Sequence, residues 1–215
     1  MRVYQVEELN GNVVLPSVVC LGVFDGVHLG HQQLIEKALV TAKNENLQAI
    51  VHIYDPLPVS VISPQKFIIE LTPIEERIKL LDELGIQQIA VSTFNQALMH
   101  MSGEDFFQKV LLEKLHARHI VAGFNHRFGF HADTDVNKLD SLCKNAGIGL
   151  SVIEPVKTAQ GNLVSSSAIR AAILLGDYDL ASLMLGRKLD QALISRLHLK
   201  NNTDAKRHNN GGLSE

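Results

Sequence analysis

Five short apolar runs, rich in β-branched residues and separated by wide polar intervals, constrain this chain more than any other feature. They are Val18-Val19-Cys20-Leu21, Ala49-Ile50-Val51-His52-Ile53-Tyr54, Ile89-Ala90-Val91-Ser92-Thr93-Phe94, His119-Ile120-Val121-Ala122-Gly123 and Leu150-Ser151-Val152-Ile153. Each has strand length, and alternation within them is weak, as in strands buried on both faces of a parallel sheet. Segments of helical period lie between them. Residues 31–46 (HQQLIEKALVTAKNEN) put Leu34, Ile35, Ala38 and Leu39 on one face. A second helix is signed by Thr72 as N-cap, Pro73 at the first helical position, Glu75 closing a capping box and Gly85 after the last turn. A third begins near Ser102, has Asp105 three residues on, and runs to about His116. The alternation predicts an α/β fold built on a doubly wound, parallel, five-stranded sheet. Right-handed crossovers bring the loops after the strands to one edge, where ligands bind in such sheets.

The C-terminal third changes character. Ser167–Leu175 and Tyr178–Leu185 read as two short helices ended by Gly176 and Gly186. Residues 188–199 read as one more amphipathic helix, with Leu189, Leu193 and Leu197 four apart, and 200–215 (KNNTDAKRHNNGGLSE) as a disordered tail. Lys and Arg number 20 against 23 Asp and Glu, so no basic field exists to hold a duplex by phosphate neutralisation, and no nucleic-acid partner is expected. No apolar stretch reaches 18 residues and the N-terminus has no signal-peptide core, so neither a membrane span nor export is expected, and the cytoplasm is the default. Cys20 and Cys143 form no metal or redox spacing and read as small buried hydrophobes.

The residues suited to chemistry fall after strands. Gly22-Val23-Phe24-Asp25-Gly26-Val27-His28-Leu29-Gly30-His31 follows the first buried run and opens a helix. Its glycines permit tight turns and close approach of backbone to a ligand, and a helix start offers free N–H groups to phosphate. With His28 and His31 at the helix entrance, i,i+3 spacing sets both imidazoles on one side, able to donate to phosphate oxygens. Ser165-Ser166-Ser167-Ala168-Ile169-Arg170 opens a second helix with hydroxyls and a guanidinium. Alone it is equally a capped helix with a solvated arginine. Asn125-His126-Arg127-Phe128-Gly129, at a strand exit, can hold a planar phosphorylated ligand, and alone it is equally a polar turn. Asp55, before Pro56-Leu57-Pro58, reads as a turn residue or as an orienter of a metal or hydroxyl.

In this order the four segments resemble the FMN adenylyltransferase (FAD synthetase) module of bacterial bifunctional riboflavin kinase/FAD synthetases. Gly22 to Gln32 looks like the flavin-specific form of the His-x-Gly-His signature of the nucleotidyltransferase superfamily. Ser165-Ser166-Ser167-Ala168-Ile169-Arg170 is similar to the family's Ser-Ser-Thr-x-Ile-Arg, and Leu185-Gly186-Arg187 to the Leu-Gly-Arg that closes the module. The resemblance covers residues 15–188. It implies a Rossmann-like nucleotidyltransferase sheet over residues 1–187 with a small helical C-terminal extension, 188–215 forming a helix and tail. The kinase module that normally follows has no room in those last residues, so kinase activity is not expected. Three departures stand out: Leu57 replaces the imidazole of a Pro-His-Pro, His126 replaces an aromatic, and the loop Phe130 to Asp135 lacks the usual glycine and cation.

The activity implied is transfer of AMP from ATP to FMN, giving FAD and pyrophosphate, with Mg²⁺ accompanying ATP. Under that resemblance His28, His31 and Arg170 are the catalytic candidates, and Gly22, Phe24, Gly30, Ser166 and Ser167 bind ATP. Asn125 and Arg127 serve the flavin side. The superfamily motifs also allow another phosphorylated acceptor, such as nicotinamide mononucleotide or phosphopantetheine. The departures from the family pattern also fit a catalytically weakened nucleotide- or flavin-binding regulator.

Overall fold

The computed structural model describes residues 1–9, 15–65 and 69–195. All five apolar runs are strands: β2 (Ser17–Leu21), β3 (Gln48–Asp55), β4 (Gln88–Thr93), β5 (Ala117–Gly123) and β6 (Gly149–Ile153). The sheet has six strands rather than the five expected, because Arg2–Gln5 forms β1. The order is β1-β4-β3-β2-β5-β6 and every pairing is parallel. β1 carries no apolar run to betray it. It is an edge strand, largely exposed, held to β4 by backbone bonds such as Arg2 N–H to Gln87 O (2.7 Å).

The helices are α1 (Leu29–Glu45), α2 (Pro58–Ile62), α3 (Ile74–Glu83), α4 (Gln96–Met99), α5 (Gly103–Asp105), α6 (Val136–Ala146), α7 (Ser166–Leu174) and α8 (Tyr178–Leu185). The helix expected from Ser102 does start on that residue, whose hydroxyl accepts the Asp105 N–H (3.1 Å). After one turn, however, it continues as a π-helix over Phe106–Lys114. Thr72 does not cap α3, which starts one residue later with Pro73 as N-cap and no side-chain cap bond. Its hydroxyl is occupied elsewhere, accepting the N–H of Gly26 (2.9 Å).

Alternate residues of β2 feed opposite layers. Val19 and Leu21 join Phe106, Phe107, Val110 and Leu139, while Val18 and Cys20 join Leu34, Ile35 and Ala38 of α1. Both faces are therefore covered, which is why the central strands read as continuous apolar runs. A third cluster packs α7 and α8 together with Leu71, Val164 and Leu193. Leu193 belongs to a helical segment over 191–195; the helix expected at 188–199 thus starts later, residues 188–190 being non-helical. The rest of that extension and the tail lie outside the described residues. Cys20 and Cys143 are buried free thiols, and no described helix is long and apolar enough to cross a membrane.

From the edge strand β1 the chain passes to β2 at the centre of the sheet, moves to β3 and β4 on one side, then crosses to β5 and β6 on the other. The strand order reverses between β2 and β5. Open α/β sheets bind ligands in the crevice outside that point.

Candidate active site

A cavity of about 930 Å³ opens at the reversal. The loop after β2 contributes Gly22 and His28, the first turn of α1 Gly30 and His31, and the loop after β5 Asn125, His126, Arg127 and Phe128. The first turn of α7, with the residue before it, adds Ser165, Ser166 and Ser167. Eight of the ten residues singled out in the sequence line this one cavity; Phe24 and Arg170 do not.

His28 is the N-cap of α1, and its Nδ1 accepts the N–H of His31 (3.3 Å). An Nδ1 that accepts leaves the ring proton of neutral His28 on Nε2, so that atom is its donor. The two rings stack, with centroids 3.7 Å apart and planes within 15°. Burial lowers the His28 pKa to about 4, with the Arg187 charge adding to it, and it carries His31 well below its ordinary value, helped by His28 and Arg77. Both imidazoles are therefore neutral hydrogen-bonding groups at pH 7. The N–H groups of Leu29 and Gly30, in the first turn, have no intrahelical partner and add donors beside them.

Phe24 stands behind this pair. It is fully buried, its ring centroid 4.9 Å from that of His31, so it supports the imidazole rather than forming cavity wall. Its φ is 55°, and that of Val27 is 39°. Left-handed backbone at a β-branched residue is strained and persists only where the surroundings over-determine it. The bonds that do so come from three segments. Thr72 accepts the Gly26 N–H; Arg187 donates to Gly26 O (2.8 Å); Gln32 donates to Val27 O (3.1 Å) and to Leu185 O (3.0 Å).

Asp25, which sequence reading passed over, is the hub of these contacts. Its Oδ1 accepts the N–H groups of Leu71 (2.8 Å) and Thr72 (3.0 Å), and its Oδ2 pairs with the Arg170 guanidinium. Its backbone carbonyl accepts the Ser166 hydroxyl (2.7 Å). Arg170 donates as well to Ile69 O (2.8 Å). Burial pushes the Asp25 carboxyl up, opposed chiefly by Arg170. With donors already aimed at both oxygens, we take it as ionised at neutral pH. Arg77, also missed, is fully buried behind the site and donates to Tyr54 O (3.0 Å) and Thr72 O (3.4 Å). The only sequence signal for Asp25 was its place inside the Gly-rich motif.

The other half of the cavity is apolar. Tyr54, Phe94, Leu98, Met99, Met101 and Phe106 line it, with Tyr54 and Phe94 edge to face at 5.5 Å. The loop after Phe128 is fastened to the start of α5: Phe130 N–H donates to Met101 O (2.8 Å) and Gly103 N–H to Asp133 (3.0 Å). Gly129, at φ +82°, faces Gly103 so closely that a Cβ there would overlap the Gly103 backbone. Asn125 and Arg127 are exposed at the cavity rim. Leu57 is buried and does not line the cavity, although Pro58 beside it does.

A family model for FAD synthetase matches residues 13–168. The chain belongs to the FAD synthetase family. A bifunctional riboflavin kinase/FMN adenylyltransferase from Buchnera aphidicola (subsp. Acyrthosiphon pisum) is 32% identical over 186 residues, 86% of this chain and 58% of that protein. The chain thus spans little more than half the length of such relatives. A shorter relative, an FAD synthetase from Listeria monocytogenes, is 34% identical over 79% of this chain and 68% of its own. Among solved structures, a macrolide-efflux protein from Streptococcus pneumoniae superposes with a TM-score of 0.75 at 26% identity, over 87% of this chain and 61% of that one. In this member of the FAD synthetase family, the family model spans the Gly-rich loop and ends within α7, so it takes in every residue that lines the cavity.

Proposed function

We propose that this chain is an FMN adenylyltransferase: an FMN phosphate oxygen attacks the α-phosphorus of ATP, the bond from that phosphorus to the bridging oxygen breaks, and pyrophosphate leaves. The observation that carries this reading is one cavity walled by two helix starts on one side and by aromatic and methionine side chains on the other. The first half suits a triphosphate, the second a fused planar ring.

The acceptor phosphate is already ionised, so the protein's task is placement and charge stabilisation. His28 donates from Nε2, and the α1 first turn adds backbone donors along the phosphates. From the α7 start Ser166 faces them with its backbone N–H, its hydroxyl being donated to Asp25 O, and Ser167 with its hydroxyl. Gly22 and Gly30 line the cavity and leave room for the Phe24 and His28 rings, which a Cβ at either would crowd, and Asn125 and Arg127 meet the flavin at the rim. In this reading magnesium accompanies ATP as part of the substrate. A cytoplasmic setting, where ATP is abundant and the two buried thiols stay reduced, goes with this reading.

The test is to incubate purified protein with ATP, MgCl₂ and FMN and to resolve the flavins by chromatography. A parallel panel of phosphorylated acceptors is followed by pyrophosphate release. FAD from FMN is the expected product. Pyrophosphate released with another acceptor and none with FMN would reassign the substrate; binding of ATP without product would make the chain a nucleotide-binding regulator.

A further inference from the structure

We infer that Arg170 is a positioning residue, acting through Asp25 to set the first turn of α7 against the Gly-rich loop, and is not itself a ligand of the triphosphate. The inference deepens the nucleotidyl-transfer reading and rests on it. Arg170 does not line the cavity, and its side chain is only 18% exposed. Its guanidinium is engaged twice, by the Asp25 carboxylate and by Ile69 O. Asp25 in turn is 1% exposed and holds three separate parts of the chain: its own loop, the Leu71–Thr72 connection before α3, and α7.

The arrangement is specific to placement of the donors. Ser166 and Arg170 are four apart on one helix face, and both bond to the same residue, Ser166 to the Asp25 carbonyl and Arg170 to its carboxylate. Two bonds from one helix to one loop residue fix distance and rotation together. The loop that carries Asp25 runs directly into the N-terminus of α1. The gap between the two helix starts, which must match a triphosphate, is thus set through Asp25. The left-handed Phe24 and Val27, immediately before and two residues after it, are strained backbone that this tie helps to hold, together with the bonds from Thr72, Arg187 and Gln32.

The two roles for Arg170 differ in sign when Asp25 is neutralised. As a phosphate ligand it would be released by Asp25→Asn and would bind the nucleotide as well as before, or better. As a positioning residue it fails with its partner. Asp25→Asn, Arg170→Gln and the double variant are compared with wild type at a temperature where circular dichroism shows all of them folded. Two quantities are read: the Kd of a non-hydrolysable ATP analogue by calorimetry, and kcat and KM for FAD formation. The expected result is a similar loss in both single variants, reaching ~10²-fold in kcat/KM as for a misplacement of about 1 Å, and a double variant no worse than the worse single one. Unchanged or tighter nucleotide binding in Asp25→Asn alongside weak binding in Arg170→Gln overturns the inference. So do near-wild-type kinetics in all three, which would mean a merely structural pair. Should a variant fail to fold, Arg170→Lys keeps the charge opposite Asp25 but loses the donor to Ile69, and partial recovery of kcat relative to Arg170→Gln is expected; if Arg170→Gln is the one lost, an Arg170→Lys that stays at wild-type kcat overturns the inference. If wild type binds ATP yet makes no FAD, the proposed activity fails while the affinity arm of the comparison still decides the role of Arg170.

Discussion

The rings of His28 and His31 stack 3.7 Å apart, with the Nδ1 of the first accepting the backbone N–H of the second. Two imidazolium cations could not occupy that arrangement, because burial penalises each charge and the second would lie against the first. The pair is built to be neutral, with Arg77 and Arg187 adding positive potential from behind. Its donors are therefore N–H groups already aimed before the nucleotide arrives.

A pH dependence of folding follows. His28, His31 and, in the core beneath, His52 are buried and neutral, with His28 lowered to about 4 and His52 to about 3 by desolvation. In the unfolded chain each titrates near ~6.5. Below that value the unfolded state takes up protons that the folded state refuses. The stability these groups contribute is full above pH ~6.5 and is lost as pH falls toward their folded values, by up to about 1.4 kcal/mol per imidazole per unit. His126, which burial lowers to about 4, adds to the same trend; Asp25, shifted upward, works in the opposite sense, but it is one group against four. Urea unfolding at pH 7.0 and 5.0 should show a loss of a few kcal/mol, and equal midpoints and slopes at the two values would contradict it.

Gly30→Ala should separate activity from stability. In the first turn of α1, alanine is a better helix residue than glycine by ~0.5–1 kcal/mol. The added Cβ, however, would stand 3.1 Å from His28 Cε1 and 3.2 Å from Nδ1, so the ring must give way by a few tenths of an ångström. The melting temperature should hold or rise, while kcat/KM falls by about tenfold, a fraction of the cost of a full ångström of misplacement. Unaltered kinetics would mean that the His28 ring position is not critical.

The parts of this molecule that were legible in the sequence are those whose cause is local. Strands buried on both faces must be apolar throughout, so the central strands β2, β3 and β4 announced themselves; the edge strand β6 was legible only through its short Leu150-Ser151-Val152-Ile153 run, and β1, held by backbone bonds at the other edge, had no such pattern. His28, Gly30, Ser166 and Ser167 sit in short motifs at helix starts, where spacing alone fixes which groups face the same way. Asp25 and Arg170 could not be paired by such reasoning, because 145 residues separate them. Thr72 was misplaced for the same reason: as a good capping residue before a proline it signs a helix start, and only the fold brings the Gly26 N–H to its hydroxyl across 46 residues. The π-helical turn pattern over Phe106–Lys114 likewise leaves the apolar residues expected of an α-helix.

Leu57 offers a test of how far the family pattern can be imposed on this chain. Where the resemblance leads one to expect an imidazole between two prolines, the side chain here is 1% exposed and forms no part of the cavity wall. The backbone at this point is fixed by the start of α2, the Leu57 carbonyl accepting both the N–H (3.0 Å) and the hydroxyl (2.7 Å) of Ser60. An imidazole carried on the same backbone would be buried with two ring nitrogens to satisfy, at a cost of about 1–3 kcal/mol. Leu57→His should therefore lower the melting temperature and leave kcat/KM for FAD formation no higher than in wild type. A gain in turnover at unchanged stability would show instead that the connection after β3 can turn residue 57 toward the nucleotide, and that the leucine has cost this chain a phosphate donor.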